Sequence, residues 1–320
     1  MSTDAIARAA AILDSGGLVA FPTETVYGLG ADAANPEAVR RIFEAKGRPA
    51  DHPLIVHVAD AIDLGAWART VPEAARQLAQ AFWPGPLTLI VERSAGVSAA
   101  LTGGQDTVGV RVPSHPVAQA LLRAFGRGIA APSANRFGRI SPTTADHVRA
   151  ELGDRVDLVL DGGQAEVGIE STIVDVSGAQ PALLRPGMIG AAQLEAVLGQ
   201  PLSRPTHESP RVSGALAAHY APSTPLELLA ARDIDALVAS TLRRIVILAR
   251  RPAPATARVA WIEAPGDATG YAHDLYAHLR SLDAGGFERI VVEAPPDDPA
   301  WTAVRDRLTR AAAGAGGDAP

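Results

Sequence analysis

Lys46 is the only lysine among 29 basic residues, the other 28 being arginines. A chain that accepts arginine at every other basic position keeps an ammonium where a compact point charge is required and a planar guanidinium does not fit. The lysine stands in Lys46-Gly47-Arg48-Pro49, where glycine and proline stiffen a turn that carries two cations. Both can face one cavity, Lys46 as a point charge and Arg48 as a bidentate fork, and phosphate oxygens suit such a pair. Two cations at a helix C-terminus also complement the helix dipole with no ligand at all. His52 and His57 flank the apolar run that begins at Leu54. Regular alternation would send them to opposite faces, and Pro53 permits a departure from it. Hydroxyls and an amide gather in Ala131-Pro132-Ser133-Ala134-Asn135, ahead of Ser141-Pro142-Thr143. Beyond a strand such groups suit ligand binding at the carboxyl edge of an open α/β sheet, and equally ordinary turns and N-caps. No Gly-x-Ser-x-Gly elbow surrounds Ser133, so it is not read as a nucleophile. Gly168 to Thr172 and Arg185-Pro186-Gly187 repeat the pattern of a polar or basic residue beside Gly or Pro.

These residues need a scaffold, and the first 200 residues alternate helical and short apolar patterns, which predicts an α/β layer structure. Strands are expected at 18–21, 54–58, 87–91, 108–112, 128–131, 156–160, 172–176 and 182–185, and helices at 72–82, 116–125, 144–151 and 191–198. Asn35-Pro36-Glu37 supplies an N-cap, a proline at the first helical position and an acidic first turn for a helix that ends at Lys46. Several strands follow each other without a helix-length gap, so the sheet is expected to be mixed. Residues 201–225, with five prolines, read as a linker. A small α/β domain is expected over 226–313, with strands at 244–249, 259–262 and 289–292 and helices at 233–243, 270–283 and 299–312, before a flexible tail at 314–320. Gly28-Leu29-Gly30 and Ala33 match a dinucleotide fingerprint only weakly, because six residues separate them from the preceding strand, and no P-loop exists.

Composition narrows the classes further. The absence of cysteine excludes disulfides, zinc-thiolate sites, iron–sulfur clusters and thiol catalysis. No basic leader region and no long uncharged apolar run is present, so a cytoplasmic chain without membrane contact is expected. The net charge of −6 argues against a broad nucleic-acid surface, and any positive site must be concentrated. A concentrated site for anionic ligands fits these residues. A double-stranded RNA-binding module and a carbamoyl-transfer enzyme are the competing readings.

In order along the chain, the motifs resemble the YrdC/YwlC-type L-threonylcarbamoyladenylate synthases in their long form. They are Phe21-Pro22-Thr23-Glu24-Thr25-Val26-Tyr27-Gly28-Leu29, Lys46-Gly47-Arg48-Pro49 with Pro53-Leu54, Trp83 to Thr88, Val110-Arg111-Val112-Pro113, Ala131 to Asn135, Ser171 to Val174, Leu184 to Gly187 and His219-Tyr220-Ala221-Pro222. The resemblance implies an α/β fold, with a twisted mixed-sheet YrdC-like catalytic domain over 1–200 and a smaller Rossmann-like domain over 226–313. It implies adenylation of a carbamate by an ATP-binding nucleotidyltransferase: L-threonine, bicarbonate and ATP with Mg2+ give threonylcarbamoyl-AMP and pyrophosphate. The product would pass to a tRNA threonylcarbamoyl transferase, with no direct tRNA binding required and no resident metal site. By the same resemblance Lys46 and Arg48 are catalytic, and Thr25, His57, Arg111 and Ser171 bind threonine. Arg48, His52, Thr107, Ser133, Asn135, Ser141, Arg185 and Tyr220 would bind nucleotide. Two departures stand out. His52 occupies a position where asparagine is more usual, and the linker segment Ser213 to Ala218 just before His219 lacks basic residues, which leaves linker participation to His219-Tyr220.

Overall fold

The structure, a computed structural model, describes residues 2–255 and 257–316. The chain divides into two compact units, one of residues 1–137 and 141–215, the other of residues 138–140 and 216–320. In chain order the first unit comprises α1 (Thr3–Asp14), β1 (Val19–Phe21), β2 (Gly28–Asp32), α2 (Pro36–Lys46), β3 (Ile55–His57), α3 (Leu64–Trp67), α4 (Glu73–Phe82), β4 (Leu87–Glu92) and α5 (Ala99–Thr102). It continues with β5 (Thr107–Arg111), α6 (Pro116–Phe125), β6 (Ile129–Ala130), α7 (Ala145–Leu152), β7 (Leu158–Val159), β8 (Thr172–Asp175), β9 (Ala182–Arg185) and α8 (Ala191–Leu198). The strands form one nine-stranded mixed sheet in the order β7-β1-β2-β6-β3-β5-β4-β8-β9. Only β1/β7, β3/β5 and β4/β8 pair in parallel.

The period of two along these strands divides the sheet into a dry face and a polar one. Val56, Val108, Val110, Leu87, Leu89, Val91 and Val174 point into the main core, where Val39, Ile42 and Phe43 of α2 and Leu78 of α4 meet them. Their neighbours Ile55, Thr107, Gly109, Ile90 and Ile173 line the opposite face. A second core lies where α1 and α6 cover the β1–β2–β6 end, around Leu13, Phe21, Leu121, Phe125 and Ile129. The fingerprint-like glycines are explained here. Gly28 and Gly30 lie within β2, paired antiparallel with β1, and a Cβ at Gly30 would stand 2.8 Å from both Ile129 and Phe21. They serve close packing, not a phosphate turn. The expected cap of α2 forms as read, with Asn35 Oδ1 accepting from the amides of Glu37 (3.0 Å) and Ala38 (3.2 Å). At its other end Gly47 takes the left-handed conformation, with φ of 62°.

The second unit comprises β10 (Leu226–Leu229), α9 (Ala231–Ser240), β11 (Ile245–Ala249), β12 (Ala260–Glu263), α10 (Ala268–Ala284), β13 (Arg289–Glu293) and α11 (Thr302–Gly314). Its four strands are all parallel, in the order β10-β13-β11-β12. Ile234 of α9 packs with Ile245, Ile247, Ala249 and Val291 on one face, while the alternate Val246, Leu248, Ile290 and Val292 are buried on the other. The stretch read as a linker is shared, its residues up to Ala215 belonging to the first unit and those from Leu216 to the second. Residues 138–140 join the second unit, where Arg139 pairs with Asp283 at 3.1 Å and the Arg280 guanidinium donates to the Ile140 carbonyl. Of the expected tail, Gly314 is the last residue of α11, and residues 317–320 lie outside the described residues. Among the described residues no helix is long and apolar enough to cross a membrane.

Candidate functional site

The polar face of the nine-stranded sheet carries two side-chain networks, and a third lies at the C-terminal end of α2. The first centres on Arg111 at the end of β5, which is 4% exposed. Its Nε donates to the Gly85 carbonyl (3.2 Å), one terminal nitrogen to Thr25 Oγ1 (2.9 Å) and the other to Glu24 Oε1 (2.6 Å). The second oxygen of Glu24 accepts from the Ser114 amide at 3.1 Å, and Thr25 Oγ1 is linked to Thr23 Oγ1 at 2.8 Å. A guanidinium has five N–H donors, and these contacts use three, leaving two uncommitted. His57 pairs in register with Arg111 across β3 and β5, and its ring meets Phe21 edge-on at 6.0 Å. Burial first, then the neighbouring Arg111 charge, pushes the imidazole pKa down to about 3, so the ring is neutral near pH 7. Its buried Nδ1 has no hydrogen-bond partner among the described residues.

The second network lies on β4, β8 and β9. Thr88 and Ser171 hydroxyls are 2.8 Å apart, and Arg185 donates to the Ser171 carbonyl (2.9 and 3.1 Å) and to its hydroxyl (3.1 Å). The third lies where α2 ends. Lys46 is 2% exposed, and its ammonium donates to the carbonyls of Ser133 and Asn135, both at 2.5 Å. It forms no ion pair among the described residues. Burial and then the Arg48 charge hold its pKa well below the usual lysine range. Arg48 donates to the Pro53 carbonyl (2.9 Å) and lies 5.8 Å from the Phe137 ring centre, which His52 meets edge-on at 5.1 Å. Ser141 donates to Glu170 at 2.5 Å.

A segment missed by sequence reasoning spans this face. Val212 packs on Ile90 and Ile173, Ser213 Oγ accepts from Arg48 (3.4 Å), and the Ser213 carbonyl accepts from Arg185 (2.7 Å). Gln105 fastens the strap from both sides, taking the Arg211 amide at 2.7 Å and donating to the Arg211 carbonyl at 3.1 Å. Residues 211–213 of the stretch read as a linker thus reach the polar face, a part of the linker additional to the expected His219-Tyr220. The space left with Thr107 beneath the strap is only about 10 Å3.

The first unit thus gathers Thr25, Lys46, Arg48, His52, His57, Thr107, Arg111, Ser133, Asn135, Ser141, Ser171 and Arg185 into these networks and their borders. Tyr220 belongs to the second unit. It is a non-glycine residue at positive φ (62°), its ring 5.7 Å from that of Tyr276 and beneath the Arg307 guanidinium at 5.2 Å. Glu24 is the residue that sequence reasoning passed over, although a buried arginine requires a counter-charge. Among the described residues no group of three His, Cys, Asp or Glu could hold a metal ion.

Residues 11–187 match the family model described as telomere recombination (Sua5, YciO and YrdC), and residues 189–313 match the model for the threonylcarbamoyl-AMP synthase C-terminal domain. A threonylcarbamoyl-AMP synthase of Bacillus subtilis is 41% identical over 97% of this chain and 93% of its own length. One from Pyrococcus abyssi is 38% identical over 95% and 92%. The solved structure of Pyrococcus abyssi Sua5 complexed with L-threonine superposes with a TM-score of 0.91 at 38% identity, covering 98% of this chain and 95% of that one.

Proposed function

Because the chain belongs to the threonylcarbamoyl-AMP synthase family, we propose that it condenses L-threonine, bicarbonate and MgATP to threonylcarbamoyl-AMP and pyrophosphate. The observation that carries this reading is the contrast between two buried basic side chains of the first unit. Arg111 is neutralised by Glu24 and keeps two N–H groups, as a zwitterionic amino acid requires of the group that takes its carboxylate. Lys46 is buried and forms no ion pair among the described residues, an arrangement that a polyphosphate would complete.

In the reaction the lone pair of threonine's neutral amine adds to the bicarbonate carbon, and water leaves as the carbamate forms. One carbamate oxygen then bonds the α-phosphorus while the bond from that phosphorus to the bridging oxygen breaks, and pyrophosphate carries the electron pair away. Arg111 fixes the threonine carboxylate, with the Thr25 and Ser171 hydroxyls beside it. His57, neutral, adds no positive charge against the amine. Lys46, Arg48 and Arg185 stabilise charge that spreads over the phosphoryl oxygens, while His52, Thr107, Ser133, Asn135 and Ser141 border the nucleotide. Mg2+ belongs to the substrate, since this ion is commonly held by phosphate oxygens and water. The strap at 211–213 touches both Arg48 and Arg185, and the space of about 10 Å3 beneath it lies far below the roughly 300–1,000 Å3 of ordinary ligand pockets, so ATP requires it to lift. Closed again, it would shield the mixed anhydride from water. Purified protein should release pyrophosphate only when threonine, bicarbonate and MgATP are all supplied, and release that ignores threonine rejects the proposal.

A further inference from the structure

The second unit holds its own arginine–glutamate pair with a hydroxyl beside it. Arg250 follows β11 and Glu293 ends β13, and these strands are neighbours. The chain leaving β11 turns toward β12, whereas the chain leaving β13 turns the other way, into α11, which packs on β10. That divergence is a topological switch point, the place where open parallel sheets receive ligands. Glu293 accepts from the Arg250 amide (2.9 Å) and from its guanidinium (2.7 Å). Tyr271 stands in the first turn of α10, 1% exposed, with its ring 5.4 Å from that of Trp301. The Arg250 guanidinium lies over the same indole at 5.3 Å. The Tyr271 hydroxyl and Arg250 Nε are both buried and have no hydrogen-bond partner among the described residues. Burial holds the phenol pKa above its usual value, with Arg250 and Glu293 as its charged neighbours, so the group remains an O–H donor.

The charge balance selects the ligand. Glu293 already neutralises Arg250, and Asp267, Asp297 and Asp298 follow or border the same strand ends, which disfavours a bare anion. A bare cation meets Arg250. A molecule bearing both charges satisfies both partners, with a carboxylate for the two uncommitted donors and an ammonium for the carboxylate. We infer that the carboxyl edge of the second unit's sheet binds a free α-amino acid, its carboxylate on Arg250 and Tyr271 and its ammonium on Glu293. The indole of Trp301 offers an apolar wall for the side chain.

This inference is independent of the synthase reading. The test is equilibrium dialysis of the full-length chain without ATP, using each standard amino acid in turn and beginning with L-threonine, on wild type and on Tyr271→Phe. Removal of one hydroxyl keeps the ring and its packing, and circular dichroism checks the fold. For at least one amino acid, a site should appear that weakens about tenfold in Tyr271→Phe, as loss of one charge-assisted hydrogen bond implies. Acetate and methylamine, each carrying one of the two charges, should not compete for it. The KM for threonine in pyrophosphate release should stay unchanged in the same variant. If no amino acid shows a Tyr271-dependent site, or if acetate competes as well as an amino acid, the inference is overturned. A chain that binds in this manner yet makes no threonylcarbamoyl-AMP defeats only the proposed function.

Discussion

Two arginine–glutamate pairs stand in the two units, and they are finished differently. Around Arg111 and Glu24 both carboxylate oxygens and all three guanidinium nitrogens have partners, from Gly85, Thr25 and Ser114. Around Arg250 and Glu293 the pair is made, but Arg250 Nε and the adjoining Tyr271 hydroxyl are left over. A buried ion pair adds little net stability by itself, because desolvation offsets the attraction. What surrounds it therefore decides its use. The first pair is a braced fixture that can offer a guanidinium in one orientation, and the second leaves donors uncommitted at a sheet edge. Lys46 marks a third condition, a buried amine with carbonyl partners and no ion pair among the described residues.

Breaking the pairs should separate these conditions. Glu24→Gln leaves Arg111 charged and uncompensated with both partners buried, so stability should fall by about 3–5 kcal/mol in urea unfolding. Glu24→Asp should recover part of that loss. Lys46→Ala should lower turnover about 100-fold, the scale of a lost charge-stabilising contact, while the urea midpoint moves far less. A near-normal rate would remove Lys46 from the mechanism. Glu293→Gln should destabilise by only about 1–3 kcal/mol, since Arg250 is partly solvated, and an effect matching that of Glu24→Gln would erase the distinction drawn between the pairs. His57 tests the first region through pH. Its folded pKa, about 3, lies below the unfolded value of 6.5, so the unfolded chain binds more protons between those values. That contribution is present above pH 6.5 and is lost as pH falls toward 3, and His57→Gln should flatten the decline of Tm over this window. The smallest change is expected from Gln105→Ala, which unfastens the strap and should raise the KM for ATP a few-fold with little effect on Tm.

Much of the scaffold was legible where local signals agree. Asn35, Pro36 and Gly47 delimit α2 as the capping pattern reads, and helices 116–125 and 191–198 fall where they are expected. β2 was not legible, because its glycines resemble a phosphate turn until the neighbouring β1 and β6 show why no side chain fits. α1 was not read from the sequence either, although Ser2 caps it. Within the candidate site the cations and hydroxyls were readable by type. Glu24 was not, since its partner lies 87 residues away and nothing local couples them. Arg211 to Ser213 looked like an ordinary proline-rich connection for the same reason.

The sequence by itself determined the two-unit α/β plan, the solitary lysine at a rigid turn and the set of side chains able to handle anions. It did so because capping, strand alternation and turn chemistry act over a few residues. Only the tertiary structure decided that Arg111, Thr88 and Ser171 share one face of a sheet, that Glu24 braces Arg111, that a strap touches Arg48 and Arg185, and that Arg250 and Tyr271 meet at a switch point. Those outcomes depend on strand order and register, which bring together residues far apart along the chain and which no local preference encodes.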